Sequence, residues 1–359
     1  MHWNHNVQIT RQSIWSLISI LISGLWILFP SGCQLVTAAP LQRFEFSSAH
    51  MGTRFSITLF ASEKTQADMA ATAAFQKIAQ LDDILSDYKA DSELMRLSDS
   101  PPGQPVPISK DLFDVLEQSE KYSKLSGGAF DVTVGPLVRL WRFSRKRKVL
   151  PSTVEVQTAL ESVGYKKLHL DRKTMTATLL VPNMRLDVGG IGKGYAADQA
   201  LALLKTKGIN RALVAASGDI AIGDPPPGQR GWRVGVASMD GSTNEPSLLL
   251  RNCGISTSGD IEQFVEINGI RYSHIVNPAT GLGLTNRIQA TIVGPNATTT
   301  DALDTGVSVL GSKRGLELVD SLPRTAALIF LKDGDGKQMF ASPNFKKLVE
   351  KSAVAGAAH

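Results

Sequence analysis

Cysteine is nearly absent: the 359 residues contain two, Cys33 and Cys253. A disulfide framework is therefore excluded, and if Cys33 is modified no internal bridge remains, so the folded part must be held by its core alone. The cysteine and histidine clusters of a zinc site are missing, and no HExxH helix occurs. No GxSxG turn marks a serine hydrolase, and neither a GxxxxGK[ST] loop nor a GxGxxG fingerprint is present. Internal repeats are lacking, as is any clean linker between residues 41 and 350. Net charge is also modest, with 38 Lys and Arg against 33 Asp and Glu and a pI near 9.1. With no binding motif beside that charge, nucleic acid is not an expected partner; an anionic ligand or an acidic protein suits it.

What is present is an ordinary globular composition, 43% hydrophobic and 20% charged, enough for one large domain or two. One long apolar run stands apart. Ile14 to Phe29 is broken only by serines and one glycine, follows Arg11, and predicts the h-region of an export signal. The Pro30-Ser31-Gly32-Cys33 end resembles a lipoprotein cleavage site, although Pro30 stands where an aliphatic residue is usual. The expectation is a signal over residues 1–33, lipid on Cys33 and anchorage at the periplasmic face of the inner membrane. A cut near Ala39 would instead release the exported chain, and an uncleaved anchor is slightly short of the usual ~20 residues. A tether over 34–42, a folded domain over 43–350 and a flexible tail over 351–359 complete the expected organisation.

Along the domain, RFEFSSAHMGTRFSITLF predicts two strands, with Phe55, Ile57 and Leu59 alternating toward a core. Lys64 to about Leu85 predicts a long helix with Met69, Phe75, Ile78, Leu81 and Leu85 inward. Ser109 caps a second helix that Gly127-Gly128 stops, with Leu112, Phe113, Leu116 and Leu125 on its inner face. Arg139 to Lys148 packs six positive charges into ten residues, a solvated loop or a contact for a phosphate or acidic partner. A glycine-rich turn from Asp187 to Gly194 opens into a helix over Tyr195 to Lys207. Strands follow at Ala212–Ala216 and Trp232–Val236, then a hairpin whose Phe264–Ile267 and Arg271–Val276 flank Asn268-Gly269. Strand Ile288–Val293, helix Thr300–Leu310 and strand Ala326–Leu331 close the domain. Strands and helices interleave with hairpins as well as crossovers. The expected fold class is α+β (mixed α/β), a single domain of mixed sheets packed by helices, with room for two lobes.

Three segments could carry chemistry. Asp301, Asp304 and Thr305 stand at i, i+3 and i+4 of a helix start, so two carboxylates and a hydroxyl share a face, the hard-oxygen set that Mg²⁺ prefers. Aspartates in a first turn also serve capping and the macrodipole, so spacing alone leaves both roles open. The Asp187–Gly194 turn brings backbone groups and Lys193 to a helix N-terminus, suited to an anion or simply to a tight turn. YSHIVNPATGLG, Tyr272 to Gly283, sets His274 inside an apolar strand, either for a ligand or as a satisfied core histidine. Cys253 has no histidine near it in sequence and is expected to be a small strand residue.

Together with MGT at Met51, SDYKADSELMRLS at Ser86, GGAFDVTVGPLVRLW at Gly127 and ASGDIAIG at Ala216, these segments resemble the FAD:protein FMN transferases. This flavinyltransferase family was long labelled as thiamine-biosynthesis lipoproteins. The resemblance runs from about Phe44 to Leu331. It implies an FAD substrate lying against Met51, Tyr88 and the Ala129-Phe130-Asp131 stretch, with Asp187, Lys193 and His274 at its other parts. It also implies Mg²⁺ on Asp301, Asp304, Thr305 and the carbonyl of Gly190, and FMN transfer to a threonine of an exported or membrane-bound redox flavoprotein. Lys193, His274 and Asp301 would be the catalytic residues, with the base that deprotonates threonine either His274 or a nearby carboxylate. The alternatives are Mg²⁺-dependent hydrolysis of FAD to FMN and AMP by the same ligands, and a non-catalytic FAD-binding lipoprotein, which would have no need of a metal on the diphosphate. Two positions depart from the pattern: Gly192 replaces a usual alanine, and WRFSRKRK replaces a LWGFG-like continuation.

Overall fold

The computed structural model describes residues 39–236, 239, 246–259, 264–333 and 336–356. The expected signal, the lipid site at Cys33 and the tether as far as residue 38 lie outside them. Residues 40–359 form one compact unit.

β1 (Gln42–His50) begins one residue inside the expected tether and pairs with β2 (Thr53–Ala61). The turn between them, Met51-Gly52, has both φ angles positive, 50° and 71°, as a two-residue hairpin requires. Next come α1 (Lys64–Leu85), α2 (Glu93–Ser98), β3 (Val106–Pro107) and α3 (Lys110–Ser126). α4 (Gly135–Arg147), α5 (Thr153–Leu160), β4 (Leu168–Asp171), β5 (Thr176–Leu179) and α6 (Gly192–Thr206) lead to the second half. That half contains β6 (Ala212–Ala216), β7 (Asp219–Ile222), β8 (Trp232–Gly235), β9 (Ser247–Leu250) and β10 (Cys253–Gly259). The hairpin β11 (Phe264–Ile267) and β12 (Ile270–Ser273), then β13 (Ile288–Gly294) and α7 (Ala297–Asp320), follow. β14 (Ala326–Asp333), β15 (Gly336–Ala341) and α8 (Pro343–Gly356) end the described chain.

Eight strands form one sheet in the order β1-β2-β6-β7-β10-β13-β14-β15, each neighbour antiparallel. This is the α+β class expected from the sequence. Phe55, Ile57 and Leu59 of β2 are fully buried, each worth roughly 1.5–3 kcal/mol of burial, on the face covered by α1, α6 and α7. The opposite face carries a second core, Trp232, Leu248, Leu250, Phe330 and Phe345, under α8 and the β8–β9 pair. Covered on both faces, β13 is buried along its whole length. A third cluster, Leu137, Trp141, Val265, Ile267 and Tyr272, joins α4 to the β11–β12 hairpin.

Several expectations require correction. Met69 is 70% exposed, because α1 turns an alanine stripe inward, Ala67, Ala70, Ala71 and Ala74, ahead of Ile78, Leu81 and Leu85. Leu125, at 41%, likewise faces out from α3. The basic run is not a loop: Arg139 to Arg147 lies in α4, since Leu137, Trp141 and Ser144 give it a buried face at i, i+4 and i+7. Its final turn, Arg145-Lys146-Arg147, complements the negative end of the helix dipole. α6 starts three residues early, at Gly192, and α7 runs well past Leu310, through non-helical Gly311 (φ 77°), to Asp320. β12 stops at Ser273, so His274 lies in the bend after the strand. α8 carries helix through the alanine-rich end to Gly356, into the expected flexible tail, where alanine's high helix propensity favours it.

Candidate functional site

The site begins where α6 meets α7. A Cβ built on Gly194 would stand 2.3 Å from the carbonyl oxygen of Ala297, so only glycine lets the two helices approach this closely. The approach allows the Gly194 N–H to donate to Oδ2 of Asp301 at 2.8 Å. The start of α7 is already capped. Asn296 accepts from the Thr299 N–H, and the half-buried carboxylate of Asp198 accepts from the N–H groups of Ala297 and Thr298. Asp301 and Asp304, a turn further in and each 2% exposed, are thus not needed to cap α7, the alternative that spacing had left open, although Asp301 does take a first-turn N–H of α6 through Gly194.

A third carboxylate joins them. Asp219, the first residue of β7, brings an oxygen within 4.8 Å of oxygens of Asp301 and Asp304, and all three residues are buried. Sequence reasoning missed it as a ligand candidate. Its signal was an acid opening an apolar strand, DIAI, directly after the Ser217-Gly218 turn, and only the sheet carries it to α7. Among the described residues Lys193 is the single cation in contact: its Nζ lies 2.5 Å from Oδ2 of Asp219 and 3.5 Å from Oδ1 of Asp301. Burial pulls the Lys193 pKa down, but Asp219 and then Asp301 outweigh it, and the ammonium is held charged with a raised pKa. The carboxyl of Asp301 is pushed up to about 7, first by burial and then by Asp219. That of Asp304 is raised well above its ordinary value by burial, Asp219 and Asp301. Thr305 donates to Oδ1 of Asp304 at 3.3 Å, and a Cβ on Gly190 would lie 2.9 Å from the Thr305 Oγ1, so the Gly190 backbone packs directly on that hydroxyl. Three buried carboxyl groups share one ammonium, and the raised Asp301 and Asp304 mark a cluster short of positive charge; its hard oxygen donors fit a divalent cation of the Mg²⁺ kind.

A second cluster gathers around Asp187. Its Oδ1 accepts from the Gly189 N–H at 2.8 Å, and its carboxyl is raised to about 6, first by burial and then by the charge of Asp87. Arg142 of α4 bridges the two acids, 2.5 Å from Asp87 and 3.6 Å from Asp187, with its guanidinium carbon 4.1 Å from the ring centroid of Tyr88. Arg142 and Asp87 were not anticipated as site residues, because α1, α4 and the turn before α6 meet only in the fold. Tyr88 itself is 77% exposed. Trp141, next to Arg142, donates from its indole nitrogen to the Gly281 carbonyl at 2.8 Å. The loop carrying half-buried His274 is thereby fastened to the same helix.

The remaining expected contacts fall between these clusters. Met51, at the β1–β2 turn, has its methyl 3.6 Å from the position of a Cβ on Gly192. Phe130 is buried and packs beside Gly306, one residue after Thr305. Ala129 is half-buried beside it. The carboxylate of Asp131 is occupied, with Oδ1 accepting from the Thr133 N–H and hydroxyl and Oδ2 from the Tyr165 N–H. Its side chain therefore shapes this loop. Val132 extends the link, its carbonyl accepting from the Asp187 N–H at 2.8 Å. Cys253 opens β10 with its thiol pushed up to about 11 by burial, unsuited to nucleophilic work. A cavity of about 810 Å³ between α3, α6 and the start of α7 has none of the triad residues in its lining.

Comparison with known proteins gives the chain a family. The model of the ApbE family matches residues 51–330. The FAD:protein FMN transferase of Escherichia coli (strain K12) is 32% identical over 275 residues, covering 75% of this chain and 78% of that protein. Among solved structures, the flavin transferase ApbE from Vibrio cholerae superposes with a TM-score of 0.78 at 28% identity, covering 86% of this chain and 100% of the other. The ApbE protein from Thermotoga maritima gives 0.78 at 30% identity, covering 86% and 99%.

Proposed function

Because this chain belongs to the ApbE family, we propose that it is an FAD:protein FMN transferase, moving the FMN half of FAD to a threonine hydroxyl of a target flavoprotein and releasing AMP. The observation that carries the reading is the buried triad Asp219, Asp301 and Asp304 beside Lys193, a phosphoryl-transfer site at the contact of two helices. These three acids, Thr305 and the Gly190 carbonyl would hold Mg²⁺, which when bound neutralises charge on the diphosphate and on the phosphoryl oxygens. Lys193, held charged by Asp219, adds a fixed cation at the start of α6 for the same oxygens.

Met51, Tyr88, the 129–131 stretch, Asp187 and His274 supply the other contacts to FAD. The threonine oxygen bonds to the FMN-side phosphorus as the bond from that phosphorus to the AMP oxygen breaks. The hydroxyl proton passes to a nearby carboxylate or to His274. The acceptor is an exported or membrane-bound redox flavoprotein, and the enzyme works at the periplasmic face, anchored by lipid on Cys33.

The test combines the purified protein, FAD, Mg²⁺ and a threonine-bearing apo-flavoprotein, followed by intact mass and free AMP. An acceptor heavier by one FMN residue with matching AMP is expected, and Asp301→Ala should abolish both. Free FMN with AMP and an unmodified acceptor would indicate hydrolysis. Full activity in Asp301→Ala would sink the metal assignment.

A further inference from the structure

The basic run of α4 has no role in the chemistry above apart from Arg142. Five of its six cations lie in α4 and the sixth, Lys148, is the C-cap, with no acidic residue among residues 135–148 to offset them. Arg139, Phe143, Lys146 and Arg147 stand at i, i+4, i+7 and i+8, and all four are exposed, on the side of α4 away from buried Leu137 and Trp141. None of the three cations in that stripe forms an ion pair within 4 Å among the described residues. Beside the stripe, a groove of about 590 Å³ runs between α4 and α5, lined by Leu140, Phe143, Val154 and Val181, with Arg139 on the α4 side and Glu155 and Glu161 on the α5 side. Phe143 is 49% and Val154 74% exposed there. The Glu155 carboxyl is lowered first by its hydrogen bonds from Ser152 and then by the charge of Arg147, but no stripe cation is held in an ion pair within 4 Å among the described residues. Exposed cations beside a mainly apolar slot are the composition of a recognition surface.

Resting on the transferase reading, we propose that this face of α4, with the α4–α5 groove, docks the acceptor flavoprotein through an acidic segment that inserts an apolar side chain. Two features favour a protein over an anionic membrane. A concave slot takes side chains, whereas a bilayer presents a broad surface. The same helix also reaches the site, through Arg142 on Asp187 and Trp141 on the Gly281 carbonyl, so a partner seated here is held beside the bound flavin nucleotide.

The test is Arg139→Glu/Lys146→Glu/Arg147→Glu, with the milder triple glutamine variant as a control for folding, assayed with the apo-flavoprotein that the wild type flavinylates. The KM for acceptor should rise about tenfold at low salt, with kcat at saturating acceptor and affinity for FAD unchanged, and the salt dependence of kcat/KM should flatten. An unchanged acceptor KM in both variants overturns the docking surface. So does a loss confined to binding of phosphatidylglycerol vesicles, which would assign the face to lipid. A wild type that transfers FMN to no acceptor refutes the transferase reading itself, and this surface with it.

Discussion

Without metal, the protein should lose stability as pH rises from about 4 to about 7, and Mg²⁺ should restore it. In the unfolded chain the Asp301 carboxyl gives up its proton near pH 4, whereas in the folded chain it holds it until about 7. Between those values the folded state binds more protons, so the unfolding free energy falls with rising pH and levels off above the folded pKa. At about 1.4 kcal/mol per pH unit, a carboxyl moved from 3.8 to about 7 makes this loss on the order of 4 kcal/mol. Asp304, Asp187, Asp131 and Asp198, also raised, contribute with the same sign, and Glu155 and Asp171, lowered, oppose them, so the share of Asp301 must be isolated by substitution. Asp301→Asn keeps an oxygen to accept from the Gly194 N–H while removing the charge. Above pH 7 and without metal, Asp301→Asn should be more stable than the wild type, and Mg²⁺ should no longer stabilise it. Urea denaturation from pH 4.5 to 8, in EDTA and in Mg²⁺, reads both effects. A metal-free wild type whose stability is flat or rising over that range, or an Asp301→Asn variant with the same slope, would refute the reasoning.

If the triad holds Mg²⁺ as proposed, Asp219→Asn should weaken it about 100-fold, seen by calorimetric titration, because the change removes both a proposed ligand and the principal partner of Lys193. Wild-type affinity in that variant would show that Asp219 only anchors the lysine. Gly192→Ala should stabilise the protein by about 0.4–1 kcal/mol in thermal melts, since a Cβ there meets Met51 and Val188 at an ordinary 3.6 Å. A drop in melting temperature would mean that the methyl displaces Met51.

Much of the fold was legible because it rests on local rules. The Met51-Gly52 turn, the Ser109 cap, the Gly127 stop and the Asn268-Gly269 hairpin are each set by the chemistry of a few adjacent residues, and each stands where the pattern placed it. The short helix α2 and the helical course of the basic run were not legible. α4 is helical because Leu137 and Trp141 find a core made by a hairpin more than a hundred residues away, and window-based patterning carries no such term. Met69 and Leu125 were misplaced for a related reason: the buried stripe of α1 is made by alanines, which a search for large apolar residues passes over.

The site divides along the same line. The sequence alone determined one half of the acidic cluster, because Asp301, Asp304 and Thr305 lie within five consecutive residues of one helix and its geometry makes them converge. It also determined that Lys193 stands at a helix start after a glycine-rich turn. Tertiary structure decided the rest: that Asp198 and Asn296 take over the capping, that Asp219 arrives across the sheet to complete the triad and hold Lys193, and that Arg142 joins Asp87 to Asp187. The physical reason is that the charge state and ligand capacity of a carboxylate depend on its burial and on partners tens to a hundred residues distant. Local spacing states which groups can meet on one element, and only the packed chain sets which groups meet and how little water remains between them.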